Sequence, residues 1–375
     1  MADYLTKRGA NVAPSYATTG DLPASTQAGD LVFVAGQLGI AVDASTFNTC
    51  DKTDIVLYKF QGDTGGYIYG GQGSSAITYF AFSNDSSVSN VATIARGNSD
   101  RCACVTDRIN NNGYCLEAQT SSGYVNTTDK TNLTSDSTAA LGTNSIGSYS
   151  VGLAQKNGTG ETKGFIIGRG LSQSDNGGND NDEILSFTYS SEAFATSSRV
   201  VTAGENHTYC ATGNTDTHTY KMGGYGYGTP APTNNMQDQI TKFAHNESAN
   251  ASLISNTLGI QTQNLLSTNS ATHVYMSVGG YGSASMIRKF QFSNETDLGS
   301  IGNLATSASD VWNYGGSRSG HCISSESNGY FHGFGQSGKT TLSTKVEKVS
   351  YSSDGNSVES YSGLGSRYGT GSFNK

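Results

Sequence analysis

The chain has 375 residues, a net charge of −8 and only 14% charged residues, with 48 Gly, 4 Pro, 21 Tyr and 14 Phe. An aromatic share of 10% excludes a disordered chain, which lacks apolar matter to bury. Scarce helix formers amid dense Gly, Ser, Thr and Asn exclude a helical bundle. The lack of a Lys/Arg cluster and of an apolar run near 20 residues argues against nucleic-acid binding and a helical membrane span.

Residues 1–9 carry no apolar core of a secretory signal, so none is expected. Residues 1–54 open with a stretch, 1–30, that lacks the repeats described below and holds Pro14 and Pro23. They are expected to form an N-terminal arm and small β-module, followed by a repeat domain over 55–375. Leu31–Gly36 with Ile55–Gln61 imitates the repeat signatures. It could supply most of a seventh blade, completed by the C-terminal 366–373. The simpler expectation makes Ile55–Phe60 the first strand of blade one. The six cysteines, Cys50, Cys102, Cys104, Cys115, Cys210 and Cys322, include no CxxC pair, so buried free thiols are expected and a zinc site is not.

Internal repetition decides the fold. One signature is Ile77-Thr-Tyr-Phe80-Ala-Phe82 followed by a polar turn. It recurs with Ile184, Phe187 and Tyr189, with Ile240, Phe243 and His245, with Ile287, Phe290 and Phe292, and with Val346, Val349 and Tyr351. A second signature precedes each copy: an apolar strand running into glycine, as in Gly66-Tyr-Ile-Tyr-Gly70-Gly71 and Gly329-Tyr-Phe-His-Gly333. The anchors at 70, 117, 168, 223, 279 and 333 lie 47, 51, 55, 56 and 54 residues apart. Two further short strands per unit complete four antiparallel strands, the content of a propeller blade. The expected fold is all-β: a β-propeller of about six four-stranded blades, or seven with an N-terminal closing strand. The anchor glycines are expected to relieve crowding at the centre.

Glycine-pair repeats of this kind resemble kelch propellers, although the Trp that usually follows the pair is missing. Phe290-Gln-Phe-Ser-Asn-Glu and Val349-Ser-Tyr-Ser-Ser-Asp-Gly-Asn resemble kelch-like repeats of virion structural proteins from tailed phages, particularly marine and cyanobacterial ones. Tyr16–Pro23, Ala28–Val34 and Leu57–Asp63 are similar to a small β-module of phage tail-fibre and virion proteins, with an insert around 42–53. The resemblance implies a non-enzymatic virion protein, of tail-fibre or capsid-decorating type. Such a protein is made in the host cytoplasm, present in many copies, and held to other virion proteins by its N-terminal arm. Host-surface carbohydrate is its second expected partner. The alternative is a dedicated carbohydrate-binding adhesin.

No motif carries catalytic chemistry: HExxH, a Walker loop and Gly-x-Ser-x-Gly are all missing. No enzyme and no cofactor are expected. The densest oxygen-ligand run, with Asp175, Asp180 and Asp182, is a weak calcium candidate; a solvated loop tip is the plainer account. The spacing from anchor to following Ile or Val is 7, 8, 16, 17, 8 and 13 residues, and loops that vary on one face usually carry recognition. The long connections, 171–183 and 225–239, hold Tyr225, Tyr227, Asn234 and Asn235. Trp312 and Tyr314 form a second aromatic loop, expected towards the other face or rim. Aromatic rings with amides and carboxylates suit sugars. Packing of loops onto blades, or contact with neighbouring virion proteins, is the plainer role for these rings.

Overall fold

The computed structural model describes residues 15–16, 31–34, 37–41, 47–49, 60–71, 74–85, 88–95, 97, 100–120, 123–125, 127–143, 157–160, 162–169, 181–200, 207–208, 210–226, 236–255, 257–279, 285–306, 322–333, 344–365, 367 and 369–375. Two compact units span 1–57 and 58–375. The first is a four-stranded sheet of β1 (Ser15–Tyr16), β2 (Leu31–Val34), β3 (Gln37–Ala41) and β4 (Phe47–Thr49), with β1 parallel to β2 and the rest antiparallel.

The second unit is a six-bladed β-propeller, and no helix occurs among its described residues. Blade 1 contains β5 (Gly65–Tyr69), β6 (Ala76–Ala81) and β7 (Val88–Thr93). Blade 2 runs β8 (Asp100–Asp107), β9 (Asn112–Thr120), β11 (Thr127–Asn132) and β12 (Ser137–Thr143), with the short β10 (Gly123–Val125) paired antiparallel to the end of β9. Blade 3 runs β13 (Asn157–Thr159), β14 (Lys163–Arg169), β15 (Asn181–Thr188) and β16 (Ala193–Val200). Blade 4 runs β17 (His207–Thr208) with β18 (Ala211–Asn214), then β19 (His218–Gly226), β20 (Met236–Ala244) and β21 (Ser252–Leu253). Blade 5 runs β22 (Gln263–Asn269), β23 (His273–Gly279), β24 (Met286–Gln291) and β25 (Thr296–Asn303). Blade 6 runs β26 (Ile323–Ser324), β27 (Asn328–His332), β28 (Val346–Ser350) and β29 (Val358–Tyr361). The C-terminal β30 (Gly371–Asn374) pairs antiparallel with β5 and is the innermost strand of blade 1.

This closure corrects two expectations. The innermost strand of blade 1 is β30, not Ile55–Phe60, of which residues 55–59 lie outside the described residues. The seventh blade does not form: Leu31–Val34 joins the separate N-terminal sheet, and the C-terminal segment completes blade 1. Closing a ring by pairing its two chain ends in one blade makes the first and last repeats hold each other.

The aromatic signature has a mechanical meaning, because the third strand of each blade is buried on both faces. Residues three apart on a strand point to opposite sides. Ile77, Ile184, Ile240, Ile287 and Val346 pack towards the next blade, while Phe80, Phe187, Phe243, Phe290 and Val349 pack against the preceding one. Six apolar clusters result, one at each junction between blades. The second aromatic of the signature stacks on the preceding blade. Phe82 lies on Tyr330 with centroids 5.1 Å apart, Tyr189 on Tyr114 at 5.6 Å and Tyr351 on Tyr275 at 4.6 Å.

In blade 4 this position is His245, stacked on Phe165 at 5.5 Å, with Nε2 2.9 Å from Thr219 Oγ1. Burial pulls its pKa from near 6.5 down to about 4, so the folded chain holds it neutral. Unfolded, it takes a proton near 6.5. Its contribution to stability is therefore whole above that value and is lost as pH falls from about 6.5 towards about 4. Burial shifts His218 and His273 the same way. Urea midpoints are expected to drop between about pH 7 and about pH 5, and to drop less in His245→Phe. An identical drop in both proteins would contradict this assignment.

Crowding at the centre falls on a different set of glycines from the one expected. Gly70 and Gly333 directly follow β5 and β27, and Gly223 sits at an irregularity inside β19; their φ of 60°, 74° and 61° is a left-handed conformation that favours glycine. The crowded positions come four residues earlier in the pattern. A Cβ on Gly113 would stand 2.5 Å from the Phe373 ring, and one on Gly164 2.5 Å from Val105 Cγ2. Gly66 and Gly329 face Ile323 and Thr268 in the same way. Between blades 4 and 5 the arrangement is inverted, with Gly213 on the inner strand and Val274 on the second. Each junction so described has one knob and one hole.

All five described cysteines, Cys102, Cys104, Cys115, Cys210 and Cys322, are buried and unbridged; Cys50 lies outside the described residues. Cys104 and Cys115 sit opposite each other in the β8–β9 register without a bond. Burial raises the Cys322 thiol to about 12, which keeps it protonated and inert.

Candidate functional site

The propeller has two ends. The turn face carries the first-to-second and third-to-fourth strand turns. The loop face carries the second-to-third loops and the connections between blades.

At the axis, six inner-strand residues form a closed hydrogen-bonded ring. The backbone N–H of Thr106 donates to Thr159 Oγ1 at 3.4 Å, Thr159 to Asn214 Oδ1 at 3.0 Å and Asn214 to Asn269 Oδ1 at 3.3 Å. Asn269 then donates to Ser324 Oγ at 3.2 Å, Ser324 to Asn374 Oδ1 at 2.9 Å, and Asn374 back to Thr106 Oγ1 at 3.4 Å. Sequence reasoning missed this ring. Its signal was a Thr, Asn or Ser recurring 53, 55, 55, 55 and 50 residues apart, just before the first turn of blades 2 to 6 and at the end of β30.

The chain crosses this ring at the turn face. Gln61 Nε2 donates to the Asn269 carbonyl at 3.1 Å, Asn374 Nδ2 donates to the Phe60 carbonyl at 3.0 Å, and Gly62 N donates to the Ser324 carbonyl at 2.7 Å. Phe60 and Gln61 are buried. The segment 60–62 thus lies across the end of the axis and contacts blades 5, 6 and 1.

Around the ring, each third-to-fourth turn places one carboxylate residue in the left-handed region: Asp85, Asp136, Glu192, Glu247, Glu295 and Asp354. Each is clamped by the preceding blade. Tyr330 donates to Asp85 at 2.7 Å and Tyr220 to Glu295 at 3.1 Å. Lys348, Lys130, Lys163, Lys242 and Lys289 pair with Asp85, Glu192, Glu247, Glu295 and Asp354. Desolvation, then the neighbouring carboxylate, pushes the Tyr67, Tyr114, Tyr220 and Tyr330 phenols upward, so they remain donors. These acids were legible as turn residues, but their role was not read. The signal was Lys at the third position of the signature in blades 4 to 6.

A groove of about 500 Å³ opens on the turn face at the seam of blades 6 and 1. Its walls are Gly62, Asp63 and Thr64 on one side and the blade 6 turn, Ser325–Asn328, on the other. Phe82, Tyr79, Ser83 and Tyr330 also line it.

The loop face is where the predicted recognition residues belong. Tyr225 is near the end of β19, and its backbone pairs with Met236 and Thr208. Asp182 lies in β15. Tyr227, Asn234, Asn235, Trp312, Tyr314, Asp175 and Asp180 lie outside the described residues. Strands β14–β15 and β19–β20, which flank the two long loops, belong to neighbouring blades 3 and 4. Trp312 and Tyr314 belong to the segment between β25 and β26, whose flanking strand ends, Asn303 and Ile323, stand at the loop-face end. Its start is fixed by buried Glu347, whose carboxylate accepts from Ala305 N at 2.9 Å, Thr306 N at 2.7 Å and Ser357 Oγ at 2.6 Å. Among the described residues no group of His, Cys, Asp and Glu is placed to hold a metal, and no helix is long and apolar enough to cross a membrane. No protein-family model and no curated protein matches the chain.

Proposed function

We propose that the chain is a non-enzymatic structural protein of a tailed-phage virion, of tail-fibre or capsid-decorating type. Its N-terminal stretch holds it to other virion proteins in many copies, and its loop face is turned to the host surface. One observation carries the reading. The chain enters the propeller across the axis of the turn face, so attachment and recognition fall to opposite ends. The resemblance of the repeats to phage virion propellers supports the setting. Apart from Asn214 Nδ2, which is buried without a partner, the side chains of the described inner ring bond to one another and to the entering segment, which leaves the loops as the variable surface.

A second reading, a dedicated carbohydrate-binding adhesin, is favoured by the two longest loops standing on adjacent blades and carrying Tyr225, Tyr227, Asn234 and Asn235. Both readings are tested by replacing Tyr225 and Tyr227 with Ala and measuring adsorption of particles to host cells. Host recognition by this face predicts adsorption weaker by about tenfold, the effect of two lost ring contacts, with particle yield unchanged. Unchanged adsorption would remove Tyr225 and Tyr227 from recognition and leave the purely structural role.

A further inference from the structure

The seam between blades 6 and 1 is where sixfold repetition breaks. In every other blade the innermost strand turns directly into the second. In blade 1 the innermost strand is C-terminal, and residues Gly62–Thr64 arrive from the axis instead. Gly62 bridges Ser325 in parallel, and the N–H groups of Asp63 and Thr64 donate to the Lys375 carbonyl at 2.6 and 3.1 Å. Beside this bridge the crossing segment and the blade 6 turn together line the groove of about 500 Å³.

We propose that this groove binds one neutral sugar ring, a pyranose, at a site separate from the loop face. Its volume is within the usual range for small-molecule sites. Its lining pairs an aromatic platform with convergent hydrogen-bonding groups. Phe82 is only half-buried and is held flat against Tyr330, with an interplanar angle of 8°. The C–H face of a pyranose stacks on such a ring. Ser83, Glu326, Ser327 and Asn328 line the same groove. Hydroxyls donate and accept, a carboxylate accepts from two sugar hydroxyls, and the Asn328 amide does both. Asn328 Nδ2 already donates to Ser327 Oγ at 3.0 Å, which orients that amide.

The lining also argues against other ligand classes. None of its lining residues is basic; Asp63 is already paired with Arg108 at 2.7 Å, and Glu326 repels phosphates and acidic sugars. An apolar ligand would strand the hydroxyls. An amine is the one rival that carboxylates and aromatic faces would also accept.

The test uses the full chain and saturation-transfer NMR with the methyl glycosides of mannose, galactose and glucose, and with butylamine as the rival probe. Transfer to the ring protons of at least one glycoside is expected. Glu326→Ala combined with Ser327→Ala should weaken that glycoside by about tenfold or more without lowering the melting temperature, since both side chains are exposed. Phe82→Leu should abolish the transfer while keeping an apolar residue at the junction. The Tyr225→Ala, Tyr227→Ala protein should bind as wild type, which separates this site from host recognition. Binding of butylamine alone, no transfer to any glycoside, or glycoside binding indifferent to the groove variants would each overturn the proposal.

Discussion

Gly164→Val is expected to destabilise the propeller by about 3 kcal/mol, and adding Val105→Gly is expected to recover at least about 1 kcal/mol of that loss. A side chain at 164 would drive into Val105, which is fully buried between blades 2 and 3. Cores do not yield to such overpacking without shifting backbone. The double variant recreates at this junction the arrangement already present between blades 4 and 5, where Gly213 receives Val274. Val105→Gly alone should also destabilise, by leaving a hole and a freer backbone. A double-mutant cycle from urea unfolding measures the coupling. Additive losses would show that the two positions do not form one fitted pair.

Arg367→Ala is expected to cost about 3 kcal/mol and to loosen the closing blade before the others. The guanidinium is buried. It donates to the carbonyls of Leu364, Gly70 and Ala76 and to Thr78 Oγ1, at distances of 2.7 to 3.3 Å. It therefore ties the segment that leads into β30 to the second and third strands of blade 1. Burial lowers its pKa to about 10, which still leaves it charged at neutral pH. Removing it takes a donor from the carbonyls of Leu364, Gly70 and Ala76 at once, of which Ala76 keeps Gly70 N at 3.1 Å, and Lys cannot reach them all with one nitrogen. Hydrogen exchange should show protection lost first in β5 and β30, with β18 and β22 retained longer. Equal loss across all blades, or no loss, would contradict a latch at this residue.

The fold was legible because two-sided burial leaves a strong mark: Ile, then Phe, then a second aromatic at fixed offsets, which a one-sided strand does not write. The copies at 77, 184, 240, 287 and 346 therefore located the third strand of five blades. Blade 2 was harder, because Thr128 and Thr131 are buried where other blades use Ile or Val and Phe or Val. The closure was misread because Ile55–Phe60 copies the pattern locally, while the strand that wins the pairing, Gly371–Asn374, lies more than 300 residues away and is short. The glycine roles were exchanged for a related reason. Pattern marks Gly70 and Gly66 alike, and only the approach of Ile323 to Gly66 tells a crowded glycine from one needed for its φ. The groove could not be read at all, since it joins residues 62–64, 79–83 and 325–330 through the ring closure.

Electron cryomicroscopy of the intact particle, with this propeller fitted, is the decisive measurement. The account predicts six-bladed density whose turn face, entered at the axis by residues 60–62, is directed to the particle, and whose long loops on blades 3 and 4 point outward. Density with the loop face against the particle, or particles without this chain, would contradict it.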